Sequence, residues 1–479
     1  MENSIIIKIQ EKLKGYRMKN LLLISFYFNQ KNEIASKRLR NLSKYLPNYG
    51  WNPIVITPHF DNIDTSFNKT ELEGVEIIET EYVDMLDRYS SLLKFNKSKK
   101  RNLNSSNFNK TVNKSPNNSS DSNMNINNKS INTDSKNDDS TNLKPNPFIQ
   151  KGIHLAGEIF AYPDGMKYWY KPGFEASENI IKERKIDGIL SSSWPITCHK
   201  IAKDLSEKYN IPWIGDLRDL WNKNPYVNHN FIRRHFEYKL ELKTFKNVSA
   251  LTVTTPLTKE ILSTIHPDKK IYTIENGYEK SEFENIEYHK KSETKLNISY
   301  AGKLYEGKRD PEILFEAIEK LSNDGLIDKN KIELNFYGDS GNILEIGEKY
   351  HIKNIIKVHG FIDHNDVLKE EKACDILLLI SWNNPNERIF IPGKVFEYMA
   401  LKKPVISIGY KEGCLKDIID KTNIGFHTDN LKDCMEGLLK YYNEFIENDY
   451  KLNYPGNEEV NKYTTENMAF KFAKILDNL

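Results

Sequence analysis

Ile376-Leu377-Leu378-Leu379-Ile380 is followed by a polar loop, then by Pro392-Gly393-Lys394-Val395-Phe396-Glu397-Tyr398-Met399-Ala400, after which Val405-Ile406-Ser407-Ile408 is apolar again. A short, largely unbroken apolar run reads as a strand buried on both faces, and the segment between the two runs has the apolar spacing of a helix. Strand, helix and strand in that order form the crossover unit of a parallel sheet. Upstream in the same half of the chain, strands are expected at 296–300, 332–337 and 355–359. The first half repeats the pattern at 20–27, 53–57, 188–191, 212–215, 250–254 and 271–274. The fold class is therefore α/β, two Rossmann-like domains in series with parallel sheets covered by helices.

Composition excludes several function classes. Lysine and arginine number 69 against 67 aspartate and glutamate, a formal charge of +2, so no broad cationic face for duplex nucleic acid is expected. Cys198, Cys374, Cys414 and Cys434 form no C-x-x-C pair, which sets aside disulfide frameworks and structural zinc and points to reduced thiols in a cytoplasmic protein. No apolar run approaches the ~20 residues of a membrane-spanning helix. Between 96 and 147, 26 of 52 residues are Asn or Ser and seven are apolar, too few to offset the entropy of ordering, so a disordered insertion on a surface loop is expected. Residues 1–17 form an extension in which Ile5, Ile6, Ile9 and Leu13 share a helical face, fitting a docking helix or a peripheral contact with an anionic membrane. The charged stretch 276–295 is the expected hinge, giving domains at 18–285 and 286–460 and a helical tail at 461–479.

Ligands of open parallel sheets bind beyond the carboxyl ends of the strands. The first strand leads into Phe26-Tyr27-Phe28-Asn29-Gln30 without a G-x-G-x-x-G turn, which removes the main support for a dinucleotide cofactor. After 188–191, Ser193 and His199 are candidates to face the site, although a histidine packed on its own helix fits equally. After 212–215, Asp216-Leu217-Arg218-Asp219 sets three charges among apolar residues, to be used or paired internally; as a divalent-ion site the two carboxylates are a weak signal. After 296–300, Gly302, Lys303, Lys308 and Arg309 put a glycine turn and several cations at one strand end, where Lys303 and Lys308 can converge on a diphosphate. Pro392 and Gly393 open a helix whose free amides form an anion site. Glu397 shares the face of Gly393 by i, i+4 spacing, so it can accept hydrogen bonds from a ribose beside a bound phosphate. Val395, Phe396 and Met399 are expected in the core.

Gly302-Lys303 with Lys308, the run Gly393 to Ala400 followed by Lys403-Pro404-Val405-Ile406, and Val358-His359-Gly360-Phe361 before Ala373-Cys374-Asp375 together resemble the family-4 glycosyltransferases of the GT-B fold. In the first half, 38–47 with Tyr49-Gly50-Trp51, Tyr162-Pro163-Asp164-Gly165 and 212–221 resemble the acceptor-side domain of one branch of that family. The resemblance implies transfer of a sugar from a nucleotide diphosphate donor, a UDP-sugar first, usually with retention, in a cleft between the domains. It assigns the diphosphate to Lys303 and Lys308 with Arg309 as substitute, the ribose to Glu397, the phosphates also to the backbone at Gly393 and Lys394, and the nucleobase to the vicinity of Gly360 and Phe361. Ile389 stands eight positions before Glu397, where many members carry a glutamate that grips the donor sugar; Glu387 is the nearest substitute. The tail is expected to cross back to the first domain.

Cleavage of a sugar–phosphate bond builds negative charge on the leaving diphosphate, so Lys303, Lys308 and the helix amides are expected to act on the transition state without a metal or other cofactor. A carboxylate from the Asp216–Asp219 loop is the candidate to steady the sugar's positive charge or orient the acceptor hydroxyl, and Asp219 and His199 are the catalytic candidates of this half. The expected partners are a nucleotide sugar and a glycan or lipid-linked acceptor, in surface polysaccharide or glycolipid synthesis. A nucleotide-sugar epimerase of the same fold, or a nucleotide-sugar-binding protein without turnover, are the rival readings. Oligomeric state is not legible in the sequence.

Overall fold

In a computed structural model of the chain the described residues are 17–30, 34–60, 72, 74–82, 162–227, 229–290, 292, 294–305 and 307–479. The insertion at 96–147 and, apart from Arg17, the extension at 1–17 lie outside them. Among the described residues the strands form two parallel sheets. The first has seven strands, β1 (Lys19–Ile24), β2 (Trp51–Pro58), β3 (Glu76–Thr80), β4 (Gly188–Ser192), β5 (Trp213–Leu217), β6 (Ala250–Val253) and β7 (Ile271–Thr273), in the order β3-β2-β1-β4-β5-β6-β7. The second has six, β8 (Leu296–Ala301), β9 (Ile332–Tyr337), β10 (Ile356–Gly360), β11 (Ile376–Ile380), β12 (Val405–Ile408) and β13 (Gly425–Thr428), in the order β10-β9-β8-β11-β12-β13.

Both orders reverse direction once, between β1 and β4 and between β8 and β11. At such a switch point the loops after two neighbouring strands diverge to opposite faces and leave a crevice at the carboxyl end of the sheet. The register holds the second crevice in place: Ile376 pairs with Ile298 and Leu377 with Ser299 across β11 and β8. Strand β11 is apolar throughout because both its faces are covered. Ile376, Leu378 and Ile380 enter a core with Phe315, Phe336 and Phe445, while Leu377 and Leu379 enter another with Val395, Phe396 and Met399. Each such burial contributes about 1.5–3 kcal/mol.

β3 and β13 are the strands that the apolar pattern does not announce. Each is the outermost strand of its sheet, β3 reading Glu-Ile-Ile-Glu-Thr and β13 Gly-Phe-His-Thr. An edge strand keeps part of its surface in solvent, so it lacks the continuous run by which the inner strands are read.

By contact the chain divides into two compact units, Met1–Leu251 with Leu476–Leu479, and Thr252–Ile475. The division falls within β6, upstream of the 276–295 stretch, and the hydrogen-bonded first sheet continues past it to β7. The final helix, Thr465–Leu476, ends in the first unit, where Asp477 accepts hydrogen bonds from Lys19 Nζ at 2.8 Å and Trp51 Nε1 at 3.1 Å.

Candidate functional site

The second switch point gathers most of the residues singled out above. Gly338, at the end of β9, has φ +98°, and a Cβ there would stand 2.6 Å from the Gly302 carbonyl oxygen. Glycine at 338 is what lets the turn after β9 close against the turn after β8. Gly338 N also donates to Gly360 O at 2.7 Å, so the ends of β8, β9 and β10 form one continuous rim.

Lys303 stands on that rim with its side chain 41% exposed and its Nζ 3.5 Å from Asp339 Oδ2. A pair this exposed contributes about 0–1 kcal/mol, so Asp339 holds the amine only weakly. The Arg309 guanidinium lies 4.8 Å from the Tyr305 ring centroid and within hydrogen-bonding reach of the Tyr300 hydroxyl. That hydroxyl, buried inside the loop, donates to Lys303 O at 3.1 Å and braces the turn; burial raises its pKa against the opposing Arg309 charge. Lys308 is exposed, and its Nζ sits 5.3 Å over the Trp382 ring, linking the loop after β8 to the loop after β11.

The helix Lys394–Leu401 begins at Gly393, beside which the space a side chain would occupy is open. Turn-like bonds from Val395 N to Pro392 O and from Phe396 N to Gly393 O, both 3.1 Å, leave the Gly393 and Lys394 amides without a backbone partner among the described residues. Val395, Phe396 and Met399 are buried as expected. The Lys394 ammonium turns inward. It donates to Glu371 Oε1 at 2.9 Å and lies 3.8 Å from Glu397 Oε2. Burial works against its charge, but the Glu371 and Glu397 carboxylates outweigh that and raise its pKa above the usual lysine value. The Lys394 side chain is thus committed to a buried carboxylate, and what this residue presents at the helix start is its backbone amide. Glu371 has no exposed surface, and burial raises its pKa against the Lys394 charge. In sequence Glu371 lies in Lys369-Glu370-Glu371-Lys372, which resembles a solvated helix face and gives no signal of this role.

Glu387 is half-buried in the short turn Pro385–Ile389, whereas the Ile389 side chain is buried in the core, so no carboxylate occupies that register. Gly413, with φ +118°, lets this turn pack, since a Cβ there would lie 2.4 Å from Arg388 O. Phe361 follows β10 and is 71% exposed, two strands from Lys303.

The first unit corrects two readings. His199 is not at an open surface. It is fully buried, with Nδ1 2.8 Å from Ser191 Oγ and its ring 5.2 Å edge-on to Phe245, because the first turn of its helix packs onto β4 and β5. It is a core histidine and cannot touch a substrate there. Asp216 is not free for chemistry either. Arg38 grips it with Nε to Oδ2 at 3.2 Å and a terminal guanidinium nitrogen to Oδ1 at 3.1 Å, and Ser192 Oγ donates to Oδ2 at 2.9 Å. Arg218, nearer in sequence, instead donates from Nε to Ser193 O at 3.1 Å. Asp219, like Arg218, is partly exposed as a residue, and burial raises its pKa more than Arg218 lowers it.

Burial lowers the His199 pKa from 6.5 to about 3. A folded value below the unfolded one means that the unfolded chain binds the extra proton, so this stability is present above the unfolded pKa and is lost as pH falls from 6.5 toward about 3. His199→Gln removes that dependence. By denaturant titration, the loss of stability between pH 7 and pH 5 is expected to be smaller in the variant by about 2 kcal/mol.

The matched cations, glycine turn and open helix end all fall within one segment. Residues 295–444 match the family model of glycosyl transferases group 1. No curated protein matches the chain in sequence. Among solved structures, sucrose-phosphate synthase from Thermosynechococcus elongatus aligns with a TM-score of 0.56 and 14% identity, covering 96% of this chain and 98% of that one. A glycosyltransferase from Rickettsia africae ESF-5 aligns with a TM-score of 0.56 and 14% identity over 97% and 99% of the two chains. Anabaena Alr3699/HepE in complex with UDP aligns with a TM-score of 0.53 and 12% identity over 96% and 100%. At such identities the likeness carries the fold, and that fold is GT-B. Together with the group 1 match it supports glycosyl transfer as the class of reaction.

Proposed function

We propose that the protein is a family-4, retaining glycosyltransferase that moves a sugar from a UDP-linked donor to a glycan or lipid-linked acceptor in surface polysaccharide or glycolipid synthesis at the cytoplasmic side of a membrane. The observation that supports this reading is that the loop carrying Lys303, Lys308 and Arg309 and the loop leading to the helix start at Gly393 follow neighbouring strands, β8 and β11, at one switch point inside the segment that matches group 1 glycosyl transferases. A leaving diphosphate carries charge that two or three cations and free amides neutralise, and they do so most strongly once the sugar–phosphate bond has lengthened. Glu397, one helical turn on, receives the ribose hydroxyls, and Phe361 lies toward the base. In the first unit, Asp219 is the carboxyl that meets the acceptor hydroxyl or the cationic sugar. The chemistry requires no metal, because lysines take its place.

One observation favours a second reading. Ile389 is buried where a sugar-gripping carboxylate is usual, which suits a protein that binds nucleotide sugars without turning them over. Incubation with a panel of nucleotide sugars and candidate acceptors separates the readings by the release of nucleoside diphosphate. Release supports transfer, epimerised donor without release supports the epimerase, and tight binding without either supports the binding protein.

A further inference from the structure

The helix Phe231–Thr244 reverses the usual amphipathic order. Its buried face carries Glu237 and Glu241, while Phe231, Ile232 and Phe236 are 82%, 53% and 55% exposed and Tyr238 is partly so. A surface helix in water normally does the opposite. The inversion is built in. Arg233 Nε donates to Glu237 Oε1 at 2.8 Å, His229 Nε2 lies 3.4 Å from the same oxygen, and Asn222 N donates to Glu241 Oε2 at 3.2 Å, so the carboxylates are held inward by specific partners. Asn230 caps the helix by accepting from Arg233 N at 2.9 Å, which fixes where the aromatic face begins.

On the exposed face, Arg234, His235 and Lys239 alternate with the apolar side chains. From Lys223 to Leu240 the only acidic residue is Glu237, and it is buried. The outward side of this segment is thus apolar and cationic, with no exposed carboxylate of its own.

We propose that this helix lies in the plane of an anionic lipid bilayer, with Phe231, Ile232 and Phe236 inserted at the acyl boundary and Arg234 and Lys239 on the lipid phosphates. Aromatic and aliphatic side chains beside cations are the composition of interfacial helices, whose binding combines apolar burial with attraction to anionic headgroups. A second copy of the chain fits this face less well, because a two-fold contact would bring two copies of the same cationic surface together. The inference is independent of the donor-site assignment.

Flotation of the full-length protein tests it, with vesicles of phosphatidylcholine alone and of phosphatidylcholine mixed with phosphatidylglycerol, at ~0.1 M salt where surface charges act over about 10 Å. The wild-type protein is expected to float with the mixed vesicles and not with phosphatidylcholine alone. Arg234→Glu with Lys239→Glu, and separately Phe231→Ser with Phe236→Ser, are each expected to lower the partition coefficient at least tenfold. The melting temperature should hold in both, since the altered side chains project into solvent. A wild-type protein that fails to float with mixed vesicles, or variants that float as well as it does, overturns the proposal. So does a dimer seen by light scattering, or single-stranded RNA binding, that these variants abolish while lipid binding is unchanged.

Discussion

Lys303→Ala is expected to lower the rate of nucleoside diphosphate release by about two to three orders of magnitude, the range seen when one donor to a developing oxyanion is removed. The melting temperature is expected to stay within about 1 °C of wild type, because the ion pair lost, to Asp339, is exposed on both sides. The proposed role separates from a structural one in the kinetics. An amine that meets charge formed as the bond breaks lowers kcat along with kcat/KM, whereas one that only holds the donor raises KM. Glu397→Ala is expected to weaken binding of uridine diphosphate, measured by calorimetry without any acceptor, as well as to slow turnover. Wild-type rates in both variants would remove the donor-site assignment and leave the fold untouched.

Arg38→Leu is expected to destabilise the first unit by about 3–5 kcal/mol, the cost of stranding a buried charge. Asp216 has no exposed surface and would lose a two-pronged partner, keeping the Ser192 hydroxyl at 2.9 Å. Trp51, Trp169, Trp194, Trp213 and Trp221 belong to the first unit and Trp382 to the second, so denaturant unfolding followed by tryptophan fluorescence reports chiefly on the first. Arg38→Leu combined with Asp216→Leu should recover a large part of the loss, since replacing both partners by apolar groups leaves no unpaired charge. A single variant within 1 kcal/mol of wild type would show that the pair matters little to the unit.

The contrast between these residues marks how far the sequence is legible. Lys303, Lys308 and the glycine before them are recognisable because they follow an apolar strand directly, and a strand end in a parallel sheet is where ligands bind. The helix opening at Gly393 is legible for the same local reason. Asp216 is visible as a charge that must be satisfied, yet the candidate partner nearby, Arg218, is the wrong one. The right one, Arg38, lies 178 residues away on the helix Ile34–Tyr45 and reaches it only through tertiary packing. Glu371 and Lys394, 23 residues apart on separate helices, pair for the same reason. His199 has a sequence neighbourhood that fits an exposed or a packed ring equally, and only the packing of its helix against Phe245 decides.

What the amino-acid sequence determined by itself is the pair of parallel α/β sheets and the cationic, glycine-containing rim of the second. Strands covered on both faces must be apolar and helices must repeat near 3.6 residues, so these features are written in local order. The edge strands β3 and β13, the partner of each buried charge and the inward turn of Glu237 and Glu241 were decided by tertiary structure. Burial and ion pairing depend on which distant segments meet, and desolvation then favours arrangements in which buried charges are paired or hydrogen-bonded.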